Sequence, residues 1–495
     1  MKKTKILPYF CLISLLIHIF VFSAIPEAFA LEGPATVSDR IILLDASTGN
    51  TLYSKNAEEK AYPASLTKVM TALLAVEAME RGEIALSDKI TCSEKMTYDL
   101  IEDGSSAGIK PGEVMTVEEL LYCSLVASAN EACNVLAEYV SGSVVGFIEL
   151  MNKRAAELGC TSTHFDNTHG LPNTEHYTSA ADMARISYEA SKHEIFMQFC
   201  NTSSITIPAT NMSGERHLSN TNGLINPNSQ FYPHYAYDYA SGIKTGHTDA
   251  AGYCLSSTAA MGDVKLLCVV MGGKESVSAD SKKYSSFDDS IEVYNWAFAN
   301  FSYHPVLNMT DLVSEIPISL AKDSLLVLVH PQDTVRVLAA NDEELDQYEQ
   351  RITIYSEESG EELVAPILAG EVLGEIEILH NGASCGSTKL LASSGHELSY
   401  SKLISSKVGA TLKKPAVIIL LIIVLALIGI YIYLRVRYNR TKRQYYKELR
   451  RRESDAAKQI PVFKSSGGSY VKKKNPGDKN ETAAERDYYK EFFED

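Results

Sequence analysis

Residues 61–70, AYPASLTKVM, open a run in which Leu66, Val69, Met70, Leu73, Leu74 and Val76 recur at helical spacing. The pattern predicts a buried helix from about Ser65 to Met79, with Lys68 one turn beyond Ser65. Positions i and i+3 share a helix face, so the Lys68 amine can stand beside the Ser65 hydroxyl. A serine is a poor nucleophile until a base takes its proton, and a desolvated amine near a second cation gives up its own proton more readily. Lys68 therefore reads as the base that activates Ser65. Alone the S-x-x-K pattern is short, and a surface lysine lying its stem along apolar side chains gives the same letters.

Two further groups strengthen it. Ser128, Ala129 and Asn130 interrupt two helical stretches, where a hydroxyl can pass a proton and an amide can hold a peptide group; Ser and Asn also favour helix-breaking turns for local reasons. Lys244, Thr245 and Gly246 sit on an expected strand, where glycine permits close backbone approach. Lys244 can supply the second cation and, with Thr245, receive a carboxylate. An edge strand carrying a solubilising lysine is the plainer account of the same residues.

Around these groups, RIILLDASTGNTLYS (40–54) reads as two short strands about a turn, and Thr116 with Glu119 forms a capping box for a helix. Residues 241–247 and 251–273 predict three more strands, the last two joined at Gly262-Asp263, and a helix at about 288–301 follows. This order fits an α/β (α+β) domain: an antiparallel sheet covered by helices, whose first and last strands can pair. Alternating short apolar runs over 305–400 indicate a small all-β domain.

The ordered trio S-x-x-K, S-x-N, K-T-G resembles that of the low-molecular-mass penicillin-binding proteins, the serine-type D-alanyl-D-alanine carboxypeptidases. Further stretches are similar to the same family: residues 43–75, GSSAGIKPGE (104–113), FDNTHGLPNTEHYTSAADMA (165–184), GIKTGHTDAAGYCL (242–255) and, in its β-rich domain, LVAPILAGEVLGEIEILHNG (363–382). The resemblance implies a penicillin-binding-protein/β-lactamase-like fold and a division of labour. Ser65 attacks the penultimate D-Ala carbonyl, Lys68 acts as base, and Ser128 relays a proton to the leaving amine. Asn130 holds the peptide, and Lys244, Thr245 and Gly246 receive the chain end. The backbone N–H groups of Ser65 and His247 form the oxyanion hole, each donor worth roughly 3 kcal/mol. Peptidoglycan stem peptides become the substrates and β-lactams the inhibitors; no cofactor and no metal is implied. Where many relatives carry an arginine after the sheet, this chain offers only Lys282 and Lys283.

The termini place the domains. Lys2, Lys3 and Lys5, an apolar stretch from Ile6 to Ala24 and the Ala28–Ala30 site read as a signal peptide over 1–30. Residues 415–434 are uncharged and about the length that crosses a bilayer, and Arg435, Arg437, Arg440, Lys442 and Arg443 follow, marking the cytoplasmic side. The expected order is catalytic domain 31–303, β-rich domain 304–400, stalk 401–414, membrane helix 415–434 and a largely disordered cytoplasmic tail 435–495 whose partner is not identifiable.

The 495 residues carry a net charge of −16, which argues against nucleic acid. Cys11 belongs to the leader; the eight other cysteines form no C-x-x-C pair and read as small core residues, with one or two disulfides permitted by export. His164, His169 and His176 cluster without H-E-x-x-H spacing, which suggests a loop held by side-chain hydrogen bonds in place of a metal site. A transpeptidase or β-lactamase of the same fold, and a wall-binding or sensory module using the tail, are the competing readings.

Overall fold

The computed structural model describes residues 31–458 apart from 102–103, 230–231 and 279–281. The signal peptide expected over 1–30 and the tail beyond 458 lie outside the described residues. The chain divides into two units, residues 1–399 and 400–495.

In the first unit, β1 (Arg40–Asp45) and β2 (Thr51–Lys55) form a hairpin, and β3 (Ala240–Thr248), β4 (Gly252–Met261) and β5 (Val264–Gly273) form a meander. They join in one antiparallel sheet of order β2-β1-β5-β4-β3, with Leu43 opposite Cys268. The first and last strands of this sheet in chain order thus lie side by side, as the sequence predicts.

Both sheet faces are covered, which is why RIILLD and VKLLCVVMGG read as continuous apolar runs instead of alternating ones. Ile41, Leu43, Leu266, Cys268 and Val270 pack on Val293 and Tyr294 of the helix Ser285–Asn300. Ile42, Leu44, Leu267, Val269 and Met271 belong to the main core, shared with helix α1 (Thr67–Glu80). That helix is buried on nearly every side, and its single lysine is buried with it. It begins two residues later than expected, after a short 3-10 turn, Ala64–Leu66, that carries Ser65. The helix Val117–Leu125 starts with the expected Thr116–Glu119 capping box, and Asn130–Ser141 follows it.

The β-rich part forms a five-stranded antiparallel sheet over its own core of Ile316, Val327, Val329, Ile376 and Leu390. The strand Phe301–Leu307 pairs with Val335–Ala340, so it runs through the 303/304 boundary drawn from sequence. Asn50 donates to the carbonyl of Ser384 at 3.0 Å, linking the first hairpin to this region. None of the eight cysteines in the described residues is paired.

In the second unit a helix covers Tyr400–Leu412 and another spans Pro415–Lys458. The latter contains an unburied apolar window of mean hydropathy 3.2, long enough to cross a membrane. The expectation of a largely disordered tail is corrected for residues 435–458, which are helical. They contain neither proline nor glycine and are rich in Arg and Lys, both strong helix formers.

Candidate active site

Ser65 stands on the turn ahead of α1, where Ala64 takes a left-handed φ of 47° and turns the chain into the helix. Lys68 lies one turn on, fully buried, and donates from Nζ to Ser65 Oγ at 2.7 Å and to the carbonyl of His169 at 2.8 Å. The second contact fixes the amine from behind, so it faces the serine.

The loop 164–176 supplies that support. The Nδ1 atom of His176 accepts from the Asp166 N–H at 2.9 Å, which leaves Nε2 protonated to donate to Thr67 Oγ1 at 2.8 Å; Thr67 donates in turn to the Ala64 carbonyl at 2.9 Å. Gly170, at φ 95°, lets the loop reach this turn, since a β-carbon there would lie 1.8 Å from the Ala64 oxygen. Burial pushes both His169 and His176 down to about 3, so both are neutral. His164 Nδ1 meets the Glu175 carbonyl at 2.6 Å. The histidine cluster holds the nucleophile's turn in place.

Strand β3 closes the other side. Lys244 is buried and donates to the Thr245 carbonyl at 3.1 Å, while Gly246 packs against the backbone of Ser65. His247 is exposed, with its ring stacked on Tyr253 at 4.1 Å. Burial lowers Lys68 to about 8, against the opposing pull of Cys133 and Glu131. Burial lowers Lys244 to about 7, with the Lys68 ammonium adding to the effect. Two buried ammonium groups this close resist coexisting, so the pair sheds a proton near neutrality.

Ser128 takes φ 59° between two helices, and Asn130 is the first residue of the second; both are nearly buried. The Asn130 N–H donates to the Ser105 carbonyl at 2.9 Å, and its amide lies beside Gly104. Among the described residues no hydrogen bond joins either side chain to Ser65 or Lys68. Lys282 is ion-paired with Glu275 at 2.8 Å, and Tyr253 donates to the same carboxylate at 2.6 Å.

Sequence reasoning missed Thr221, whose hydroxyl lies 2.6 Å from that of Thr245. The asparagine-rich run 220–226 around it was the available signal: polar residues packed this densely must be paired if buried. It also missed Glu131, which gathers Ser106 Oγ and the N–H groups of Ala107 and Ile109.

A serine hydrogen-bonded to a desolvated lysine, beside a second buried cation and under a strand edge, defines an acyl-transferring serine hydrolase. Residues 27–275 match the peptidase S11 family, D-alanyl-D-alanine carboxypeptidases. The chain is 32% identical over 375 residues to the D-alanyl-D-alanine carboxypeptidase DacF of Bacillus subtilis, covering 74% of this chain and 90% of that protein. It is 36% identical over 256 residues to DacA of Escherichia coli, half of this chain and 60% of that one. Penicillin binding protein 5 of Haemophilus influenzae superposes with a TM-score of 0.56 at 26% identity, over 74% of this chain and all of that one. PBP3 of Streptococcus pneumoniae, at 23% identity and TM-score 0.59 over 73% of this chain and all of that one, shares the fold. The chain belongs to the peptidase S11 family and is a serine peptidase of the penicillin-binding fold.

Proposed function

We propose that this protein removes the terminal D-Ala from peptidoglycan stem pentapeptides through an acyl-enzyme on Ser65. The observation that carries the reading is the 2.7 Å contact between Lys68 Nζ and Ser65 Oγ, inside a helix that keeps the amine from water. A carboxylate arriving beside Lys244 favours the ammonium there, and repulsion then favours the neutral amine on Lys68. Ser65 Oγ attacks the carbonyl carbon of the penultimate residue and passes its proton to Lys68. The C–N bond breaks as a proton reaches the leaving amine by way of Ser128. Water then attacks the ester and restores the serine.

Asn130 holds the peptide, Lys244, Thr245 and Gly246 receive its end, and the backbone N–H groups of Ser65 and His247 face the developing oxyanion. β-Lactams acylate the same serine. Residues 31–303 are the catalytic domain and 304–400 a β-rich spacer, after a signal peptide over 1–30. The protein crosses the membrane once over 415–434, from a stalk at 401–414, with the catalytic domain on the wall side and 435–495 in the cytoplasm.

The test uses the detergent-solubilised full chain and its Ser65→Ala variant with a pentapeptide ending in D-Ala-D-Ala. Mass spectrometry should show loss of one alanine with the wild type alone. An intact peptide, or transfer of the acyl group to an added amine in place of hydrolysis, would displace this reading.

A further inference from the structure

Thr221 lies outside the three motifs yet is joined to the K-T-G strand by side-chain hydrogen bonds. Its N–H donates to the Val126 carbonyl at 3.3 Å. The residues on either side are buried and tied down: Asn220 Nδ2 donates to the carbonyls of Cys200 and Thr202, and Asn222 Nδ2 to that of Gly242. The Thr221 hydroxyl is thus delivered to a fixed place by rigid backbone.

At that place it has two partners. Lys244 Nζ donates to Thr221 Oγ1 through a long contact of 3.5 Å, and Thr221 Oγ1 and Thr245 Oγ1 are 2.6 Å apart. In its protonated form, which a bound carboxylate favours, Lys244 only donates, so the Thr221 oxygen is the acceptor toward it. Its own proton is then available for Thr245. Once Thr245 accepts it, the Thr245 proton must point elsewhere, and Thr245 directly precedes Gly246, which packs against the nucleophile's turn. A chain running from cation to hydroxyl to hydroxyl polarises each link in the same direction.

We propose that Thr221 is a positioning residue for carboxylate specificity: by taking a hydrogen bond from Lys244 and giving one to Thr245, it turns the Thr245 O–H toward the terminal carboxylate of the substrate. The inference rests on the reading of Lys244 and Thr245 as the carboxylate-binding end of the site. It adds that selectivity for a charged chain end depends on a neutral hydroxyl one layer behind the contact. A peptide ending in an amide presents a donor as well as an acceptor, so it gains less from this polarity.

The experiment compares the detergent-solubilised wild type, Thr221→Val and Thr221→Ser on a tripeptide ending in D-Ala-D-Ala and on its C-terminal amide. Valine keeps the shape and removes the oxygen; serine keeps the oxygen. Thr221→Val should lower kcat/KM on the acid about tenfold, mainly through KM, and on the amide less than twofold. Thr221→Ser should stay within twofold of wild type on both. In a double-mutant cycle, Thr221→Val should add little to Thr245→Val, because it acts through that side chain.

Equal losses on both substrates, a loss confined to kcat, or additive effects in the cycle would overturn the proposal. Should the valine variant not fold, Thr221→Ala carries the same comparison. A wild type that is active while Thr221→Val is unchanged would remove this inference alone. A wild type that neither releases D-Ala nor is acylated by a penicillin would overturn the reading of the site, and this inference with it.

Discussion

Gly246 meets Ser65 backbone to backbone: a β-carbon at 246 would lie 3.0 Å from the Ser65 nitrogen and 3.1 Å from the Ala64 β-carbon. The seam between strand β3 and the turn ahead of α1 is therefore closed by the absence of a side chain. The Ser65 N–H assigned to the oxyanion hole lies on that seam.

Gly246→Ala should accordingly cost activity well beyond its cost in stability. The added methyl has to push the Ser65 turn aside, and losing one oxyanion donor lowers kcat by about 10²–10³. D-Ala release and thermal unfolding of the variant check this together. Near wild-type kcat would show that the seam yields and that the Ser65 N–H is not held there for catalysis.

The same seam marks the limit of what the sequence discloses. Lys68 was legible because an apolar helix around it forces a reason for a buried cation, and the pairing of β1 with β5 was legible because the order of strands and helices lets the first and last strands meet. Thr221 and Glu131 were not, because their partners are 24 residues away for Thr245 and 22 to 25 for Ile109, Ala107 and Ser106. Tertiary hydrogen bonds leave no period in a sequence. The helix beyond residue 434 was masked differently: its charge suggested a solvated tail, whereas its lack of Pro and Gly favoured a continued helix.

The buried histidines predict acid sensitivity of the fold. His169 and His176 fall to about 3 in the folded protein because burial penalises the imidazolium, whereas an unfolded histidine titrates near 6.5. Between those values the unfolded chain binds more protons, so stability is retained above about 6.5 and declines as pH falls. The slope approaches about 1.4 kcal/mol per pH unit for each histidine. Thermal melts from pH 7.5 to 5 should show the decline, and His176→Gln should lessen its slope. A flat profile would mean that these rings find protons or water in the folded state.

Lys244→Met should shift the acidic limb of Ser65 acylation upward. With Lys68 as the proposed base, acylation needs its neutral form, so the rate should rise as pH passes through about 8 and then level off. In the free enzyme Lys244 falls to about 7 and is largely neutral where Lys68 titrates. At saturating penicillin the bound carboxylate favours the Lys244 ammonium, which favours the neutral amine on Lys68, and removing that cation restores affinity for the proton. Acylation by a penicillin, followed by stopped flow from pH 6 to 10, measures the limb directly even where peptide binding is weakened. An unmoved limb would mean that Lys244 carries no charge while Lys68 works.

Glu131→Gln should move the same limb the other way. Glu131 is buried, and its charge favours the ammonium on Lys68, holding it above the value that burial alone would impose. An amide removes the charge while its oxygen still accepts from Ala107 N–H and Ser106 Oγ, both at 2.7 Å in the parent. The loop from 104 to 109 should then stay in place, and neutral Lys68 should be reached at lower pH. Glu131→Ala separates the two roles, because it also leaves a buried N–H without a partner, at a cost of about 1–3 kcal/mol. The alanine variant should melt earlier and acylate more slowly at every pH, since the Asn130 N–H is bonded to that loop through Ser105. Opposite displacements in Lys244→Met and Glu131→Gln would identify one titrating group, Lys68, sensed by a cation on one side and a carboxylate on the other. Displacements of the same sign would assign the limb to some other residue and remove Lys68 as the base.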